Sequence, residues 1–261
     1  MTPAEFQILE TVFLIVVASL LFLALPGYAW LRLSAQKSKE AQGGDTPSSV
    51  IQPLDLIIVG LYILVFTVFL KGTESKMENP EDLEMSAGLV LLSSIAMLSI
   101  AGIVPLILFW RTNLIEFFGL RWPSWKTIFW IMPAFVFAMM IVGAILVACG
   151  WQTWVQDSLG AKPQEAVTLV RETSDVGLLV AMAVSAIIIA PIAEELIFRG
   201  YLYPVVKRFT DRWFASIFSG ALFGVIHFNV MALPMLALMG IILAVILSLI
   251  HISEPTRPYW I

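Results

Sequence analysis

The chain has 261 residues, of which 59% are hydrophobic and 13% charged, with a formal net charge of −4. That balance excludes a soluble domain built round one core, and the slight negative charge, carried by the loops, gives no basis for binding nucleic acid. The single cysteine, Cys149, excludes an internal disulfide framework and a cysteine-built zinc site. It lies in an apolar run and reads as a packing residue.

Seven apolar runs are each long enough to cross about 30 Å of hydrocarbon, which predicts an all-α, polytopic transmembrane helical bundle of about seven spans. Phe6 to Leu33 is the first, too long to be a removed signal peptide and so a membrane anchor. Ser34 to Pro53 is a polar linker with Gly43-Gly44-Asp45-Thr46-Pro47 as its flexible middle. Leu54 to Leu70 is span two, followed by an acidic loop with Glu74, Glu78, Glu81, Asp82 and Glu84. Span three is Met85 to Trp110. Phe118 to Pro123 then reads as an amphipathic turn at the interface, with Trp110, Trp122, Trp125 and Trp130 in an aromatic belt. Span four is Ile128 to Cys149, and a loop carrying Trp151, Trp154, Asp157, Glu165, Glu172 and Asp175 follows it. Val176 to about Val206 is span five, Phe214 to about Met231 span six, and Leu233 to about Ile250 span seven.

Lysine and arginine number three after span one (Arg32, Lys37, Lys39), two after span two (Lys71, Lys76) and three after span three (Arg111, Arg121, Lys126). Two follow span four (Lys162, Arg171) and four follow span five (Arg199, Lys207, Arg208, Arg212). By the positive-inside rule the amino terminus is external, and the loops after spans one, three and five are cytoplasmic.

Span five carries the chemistry. Ala190-Pro-Ile-Ala-Glu-Glu-Leu-Ile-Phe-Arg-Gly-Tyr201 places two adjacent carboxylates and a guanidinium in an apolar segment. A charge at the bilayer centre costs roughly 2.5–3.5 kcal/mol on insertion scales, so an intramembrane acid marks a functional site unless it reaches headgroup water. On a helix Glu195 and Arg199 are four apart on one face, with Glu194 turned about 100° away. Arg199 can then hold Glu195 and leave Glu194 available.

Of two histidines, His227 falls inside span six and His251 near the end. Spans five and six, joined by the short Thr210-Asp211-Arg212 turn, should pack side by side, with Ser216, Ser219, Gly220 and Gly224 allowing close approach. Glu194 and His227 would then meet within about 5 Å, or across one water. Such a pair is a general-base arrangement: the carboxylate takes the proton while the imidazole orients the water or stabilises the oxyanion. A satisfied packing histidine is the plainer alternative. The chain has no His-Glu-x-x-His, no Gly-x-Gly-Asp, no Gly-x-Ser rhomboid-type site and no phosphate-binding loop.

Glu194-Glu195-Leu-Ile-Phe-Arg199 followed by Phe223-Gly-Val-Ile-His227 resembles the first two motifs of the CPBP intramembrane protease family, which contains CAAX-box endopeptidases and bacteriocin self-immunity proteins. The resemblance covers about Val176 to Ala244. It implies a CPBP-like core over 176–246 preceded by four spans over 1–175, in an integral membrane protein of a bacterial plasma membrane. It implies Glu194 as the water-activating carboxylate, Glu195 and Arg199 as supporting residues, Phe223 as a packing or substrate-positioning residue and His227 as the partner of Glu194. Glu194 and His227 are also the candidate ligands should a divalent metal such as zinc be used, a metal-free glutamate mechanism being equally open. The partners implied are the lipid bilayer and a peptide or protein substrate; in a bacterium, where prenylated proteins are scarce, another peptide is expected in place of a CAAX one.

The family carries a further histidine, four residues before an Asn or Asp. Here the one candidate is His251, and position 255 is Pro. His251 lies in Leu247-Ser-Leu-Ile-His-Ile-Ser-Glu-Pro-Thr-Arg257, which resembles a translated sequencing adapter, so residues 247–261 are expected to be non-native and the 261-residue chain inactive. The competing reading is a non-catalytic membrane protein that binds a peptide in the same cavity, as a self-immunity protein would. A transporter is disfavoured by the lack of an inverted internal repeat.

Overall fold

The computed structural model describes residues 3–35, 51–78, 86–118, 125–159, 170–171 and 173–252. Among them the regular elements are all helices: α1 (Pro3–Ala35), α2 (Leu54–Glu78), α3 (Ala87–Phe109), the single turn α4 (Leu114–Phe117), α5 (Trp125–Ala148), α6 (Trp151–Leu159), α7 (Val176–Phe209), α8 (Arg212–Val225) and α9 (Leu233–Ile252). Leu23, Ile57, Leu92, Phe137 and Ile187 are exposed on their outer faces, as suits helices surrounded by hydrocarbon.

The expected count of seven spans proves approximate. Four segments are long and apolar enough to cross a bilayer, namely Ile8–Leu31, Ala87–Phe109, Phe129–Ala148 and Val176–Phe209. The apolar parts of α2 and α9, Leu54–Phe69 and Leu233–Ile246, are shorter. Helix α8 has 14 residues, a rise of about 21 Å, and stops short of a full crossing. Glu74 and Glu78 belong to the end of α2 rather than to a loop, and α6 is a helix where a loop was expected. Trp110 and Trp130 are exposed, as an aromatic belt requires. The linker centred on Gly43–Pro47, Glu81, Asp82, Glu84 and Trp122 lie outside the described residues.

Helix α7 is central, with α3 along one side, α2 against its last turns and the α8–α9 pair against its second half. Two π-helical stretches, Ser185–Ile189 and Glu195–Leu202, interrupt it. Both have a proline as their cause. A proline ring lacks the N–H and crowds the carbonyl four residues earlier, which for Pro191 is Ile187 and for Pro204 is Gly200. Each displaced carbonyl falls inside a π stretch, where the wider turn moves it aside. The Oγ of Ser94 on α3 also donates to that of Ser185 at 2.9 Å, fastening the first stretch.

Helices α8 and α9 form a hairpin of very close approach. A Cβ on Gly220 would lie 2.5 Å from the Ile241 nitrogen, and one on Gly240 would lie 2.7 Å from the Cα of Gly220. Two of the four small residues of α8 expected to allow close approach to span five, Gly220 and Gly224, serve the contact with α9: Gly224, too, meets Leu233 and Ala237. This correction follows from connectivity, because the hairpin turn after α8 forces two backbones together at its tip. Asp211 caps α8 by accepting from the Trp213 and Phe214 amides, and its carboxylate also takes the Tyr28 hydroxyl of α1.

Candidate active site

Glu194 lies near the middle of Val176–Phe209, the 34-residue apolar segment. It closes the α-helical turn Ala190–Glu194, and Glu195 opens the π stretch, so the helix changes pitch between the two carboxylates. π turns of this kind recur at functional sites.

His227 was expected within a helix, but α8 ends at Val225 and His227 lies in the turn that follows. Its Nδ1 is 2.7 Å from the Phe223 carbonyl, the carbonyl a continuing helix would have taken for a backbone amide. That acceptor assigns the proton to Nδ1 and leaves the Nε2 lone pair free in the neutral ring. Nε2 is 3.7 Å from Oε1 of Glu194, and both side chains are about a fifth exposed. The separation is too long for a direct hydrogen bond and short enough for one water to serve both groups.

Glu195 and Arg199 also stand apart without a direct hydrogen bond. Nε of Arg199 is 3.6 Å from Oε2 of Glu195, beyond hydrogen-bond range, and the Glu195 side chain is half-exposed while Arg199 is buried. Arg199 is held mainly by its surroundings: Nη2 donates to the Gly240 carbonyl at 3.5 Å, and Cζ stands 5.0 Å from the centre of the Phe223 ring. Phe223, itself buried, meets Phe198 edge-on at 5.1 Å and lies 4.7 Å from the imidazole of His227. The five predicted residues thus form one contiguous group, in which Phe223 touches both the guanidinium and the imidazole.

Among the described residues no three of His, Cys, Asp and Glu converge on one point. Glu194 and His227 supply two donors, one fewer than the three protein ligands a catalytic zinc takes. The described donor set does not fit a zinc centre.

A second polar cluster escaped the sequence. Asp55, fully buried in the first turn of α2, accepts from Nη1 of Arg111 at 2.7 and 2.9 Å, from the Tyr201 hydroxyl at 2.8 Å and from the Gln52 amide at 2.7 Å. Tyr201 belongs to the π stretch that starts at Glu195, so this knot ties the site helix to α2 and to the end of α3. The signal was available: Asp55 is an acid in an apolar run, open to the same reasoning that singled out Glu194. Glu10 of α1 is another such acid, and its Oε1 accepts from the Val230 amide at 3.0 Å.

An all-helical bundle with long apolar helices, in which a carboxylate of one helix faces an imidazole in the turn after another at 3.7 Å, defines an all-α, membrane-type protein. More particularly, residues 176–251 match the family model described as Type II CAAX prenyl endopeptidase Rce1-like, a likeness that supports a CPBP/CAAX-type membrane protease. All five site residues lie within the match. No curated protein and no solved structure matches the chain.

Proposed function

We propose that the protein is an intramembrane endopeptidase that hydrolyses a peptide bond with a water activated by Glu194. The observation that carries this reading is the 3.7 Å separation of Glu194 Oε1 and His227 Nε2, with Nδ1 committed to the Phe223 carbonyl. A water between the two acceptors donates one O–H to the carboxylate and the other to Nε2. Its remaining lone pair points away from both, toward an incoming carbonyl carbon. Glu194 takes the proton as the oxygen adds, the tetrahedral oxyanion collapses, and the same proton passes to the departing amine. The C–N bond breaks to give a carboxylic acid and an amine, the acid passes its proton to the amine as it ionises, and Glu194 is returned to its starting form.

Glu195, Arg199 and Phe223 support the pair by packing and charge. The substrate is a peptide or protein segment at the membrane, and the setting a bacterial plasma membrane. The chemistry needs no metal in this form; were a divalent ion present, Glu194 and His227 would be its donors and a third ligand would have to come from elsewhere.

The test is peptide cleavage by the full-length gene product in lipid nanodiscs. Glu194→Gln keeps shape and removes the base, so turnover should fall by about 10²–10⁴ while helicity by circular dichroism is retained. His227→Ala should behave alike. Cleavage at the parent rate by Glu194→Gln would end the catalytic reading and leave peptide binding in the same cavity.

A further inference from the structure

The turn that carries His227 is held from within the hairpin, by the Phe228 amide on the Val225 carbonyl at 3.1 Å and the Ala232 amide on Oδ1 of Asn229 at 2.9 Å, and from outside it. Phe228 has φ of 51°, the one positive φ outside glycine among the described residues, a conformation that costs free energy for a bulky side chain. Such a turn persists only when its surroundings impose it. Beyond the hairpin's own hydrogen bonds, the surroundings that meet the turn are α1 and α6. Oε1 of Glu10 takes the Val230 amide at 3.0 Å, and the Trp151 indole N–H donates to the Met231 carbonyl at 3.1 Å. Val230 is fully buried in a separate cluster with Leu14 of α1 and Val155 of α6, and Phe228 packs against it. Both helices lie outside the matched segment 176–251.

We infer that Glu10 is a positioning residue for His227: by accepting the Val230 amide it sets the turn at which Nε2 faces Glu194. This rests on the proteolytic reading for its significance, though not for its geometry. An acid inside span one has a cost, and a backbone N–H for it to bind is a physical reason for its presence. Four residues from Glu10, Leu14 packs on Val230, so one face of α1 supplies both the polar and the apolar contact. The first span thereby completes a site whose chemical groups all lie on later helices.

The experiment reads His227 directly. The chain has two histidines, so a His251→Gln background leaves His227 as the single imidazole for nitrogen-15 spectroscopy in nanodiscs. In the parent, Glu194→Gln should change the Nε2 resonance of His227. In Glu10→Leu that response should be lost, and in Glu10→Gln, whose amide oxygen can still accept from Val230, it should return. An undiminished response in Glu10→Leu overturns the inference, as does a parent in which Glu194→Gln leaves Nε2 unmoved. Should Glu10→Leu not fold, Glu10→Ala is read in its place. The kinetic counterpart, read in the full-length gene product, is a fall in kcat of about 10²-fold for Glu10→Leu with little change in KM, the cost of an ångström-scale misplacement, rescued by Glu10→Gln. A protein that cleaves nothing while the resonance follows Glu10 would refute the protease and keep the positioning role. Cleavage indifferent to Glu10→Leu would do the reverse.

Discussion

Glu194 and His227 stand at equal distances along the chain from the turn that joins their helices, sixteen residues before Thr210 and sixteen after Asp211, and their facing atoms are 3.7 Å apart. The antiparallel pair brings them to one depth, with the π stretch Glu195–Leu202 on one arm and the turn after Val225 on the other. The same register sets Arg199 over Phe223, one turn nearer the connection.

Arg199→Lys should lower thermal stability in detergent although the charge is kept. The guanidinium plane lies over Phe223 and reaches the Gly240 carbonyl, and an ammonium has neither the plane nor the reach. Glu195→Gln should cost less than Arg199→Lys, because Glu195 stands 3.6 Å from Nε and makes no hydrogen bond to it. A larger loss for Glu195→Gln than for Arg199→Lys would mean that the ion pair, and not the packing, holds the guanidinium.

Asp55→Asn should destabilise the fold by about 1.5–3 kcal/mol, the range for hydrogen bonds to a charged group. A fully closed ion pair would cost more, but Arg111 retains partial access to solvent. Tyr201→Phe removes one of the acceptor's partners and should cost about 1 kcal/mol. In a double-mutant cycle the two should couple; strict additivity in thermal melts would show that the knot is not one unit.

Gly220→Ala and Gly240→Ala should each weaken the α8–α9 hairpin by about 1–3 kcal/mol, since the added Cβ meets backbone that cannot rotate away. Gly60→Ala and Gly102→Ala, where nothing lies within 4 Å, should be neutral or stabilising by up to about 1 kcal/mol. Equal melting behaviour of all four variants would contradict the close crossing.

Treatment of the full-length gene product with a strong chelator tests the metal-free route: with Glu194 and His227 as its donors among the described residues, cleavage that stays within about twofold of the untreated rate supports a water activated by Glu194 alone. Loss of activity that zinc alone restores would require a third ligand to join Glu194 and His227.

Legibility in the sequence followed the range of the interaction. The helical membrane class, the placing of the carboxylates in span five and the meeting of Glu194 with His227 were readable because hydropathy runs and equal arm lengths about a short turn are local properties of the chain. The early end of α8 was harder to read: Ile226, His227 and Phe228 are apolar or aromatic and continue the run in composition, while the backbone stops because Nδ1 of His227 takes the Phe223 carbonyl.

By itself the sequence determined that this chain lives in lipid, since no arrangement of so many apolar residues could be buried within one core, and that two carboxylates, a guanidinium and an imidazole would share one region. Tertiary structure alone decided which groups face which. Glu10 reaches Val230 across 220 positions and Asp55 reaches Tyr201 across 146. Hydropathy is blind to such contacts, because a buried acid is made tolerable by whichever donor the packing of distant helices delivers to it.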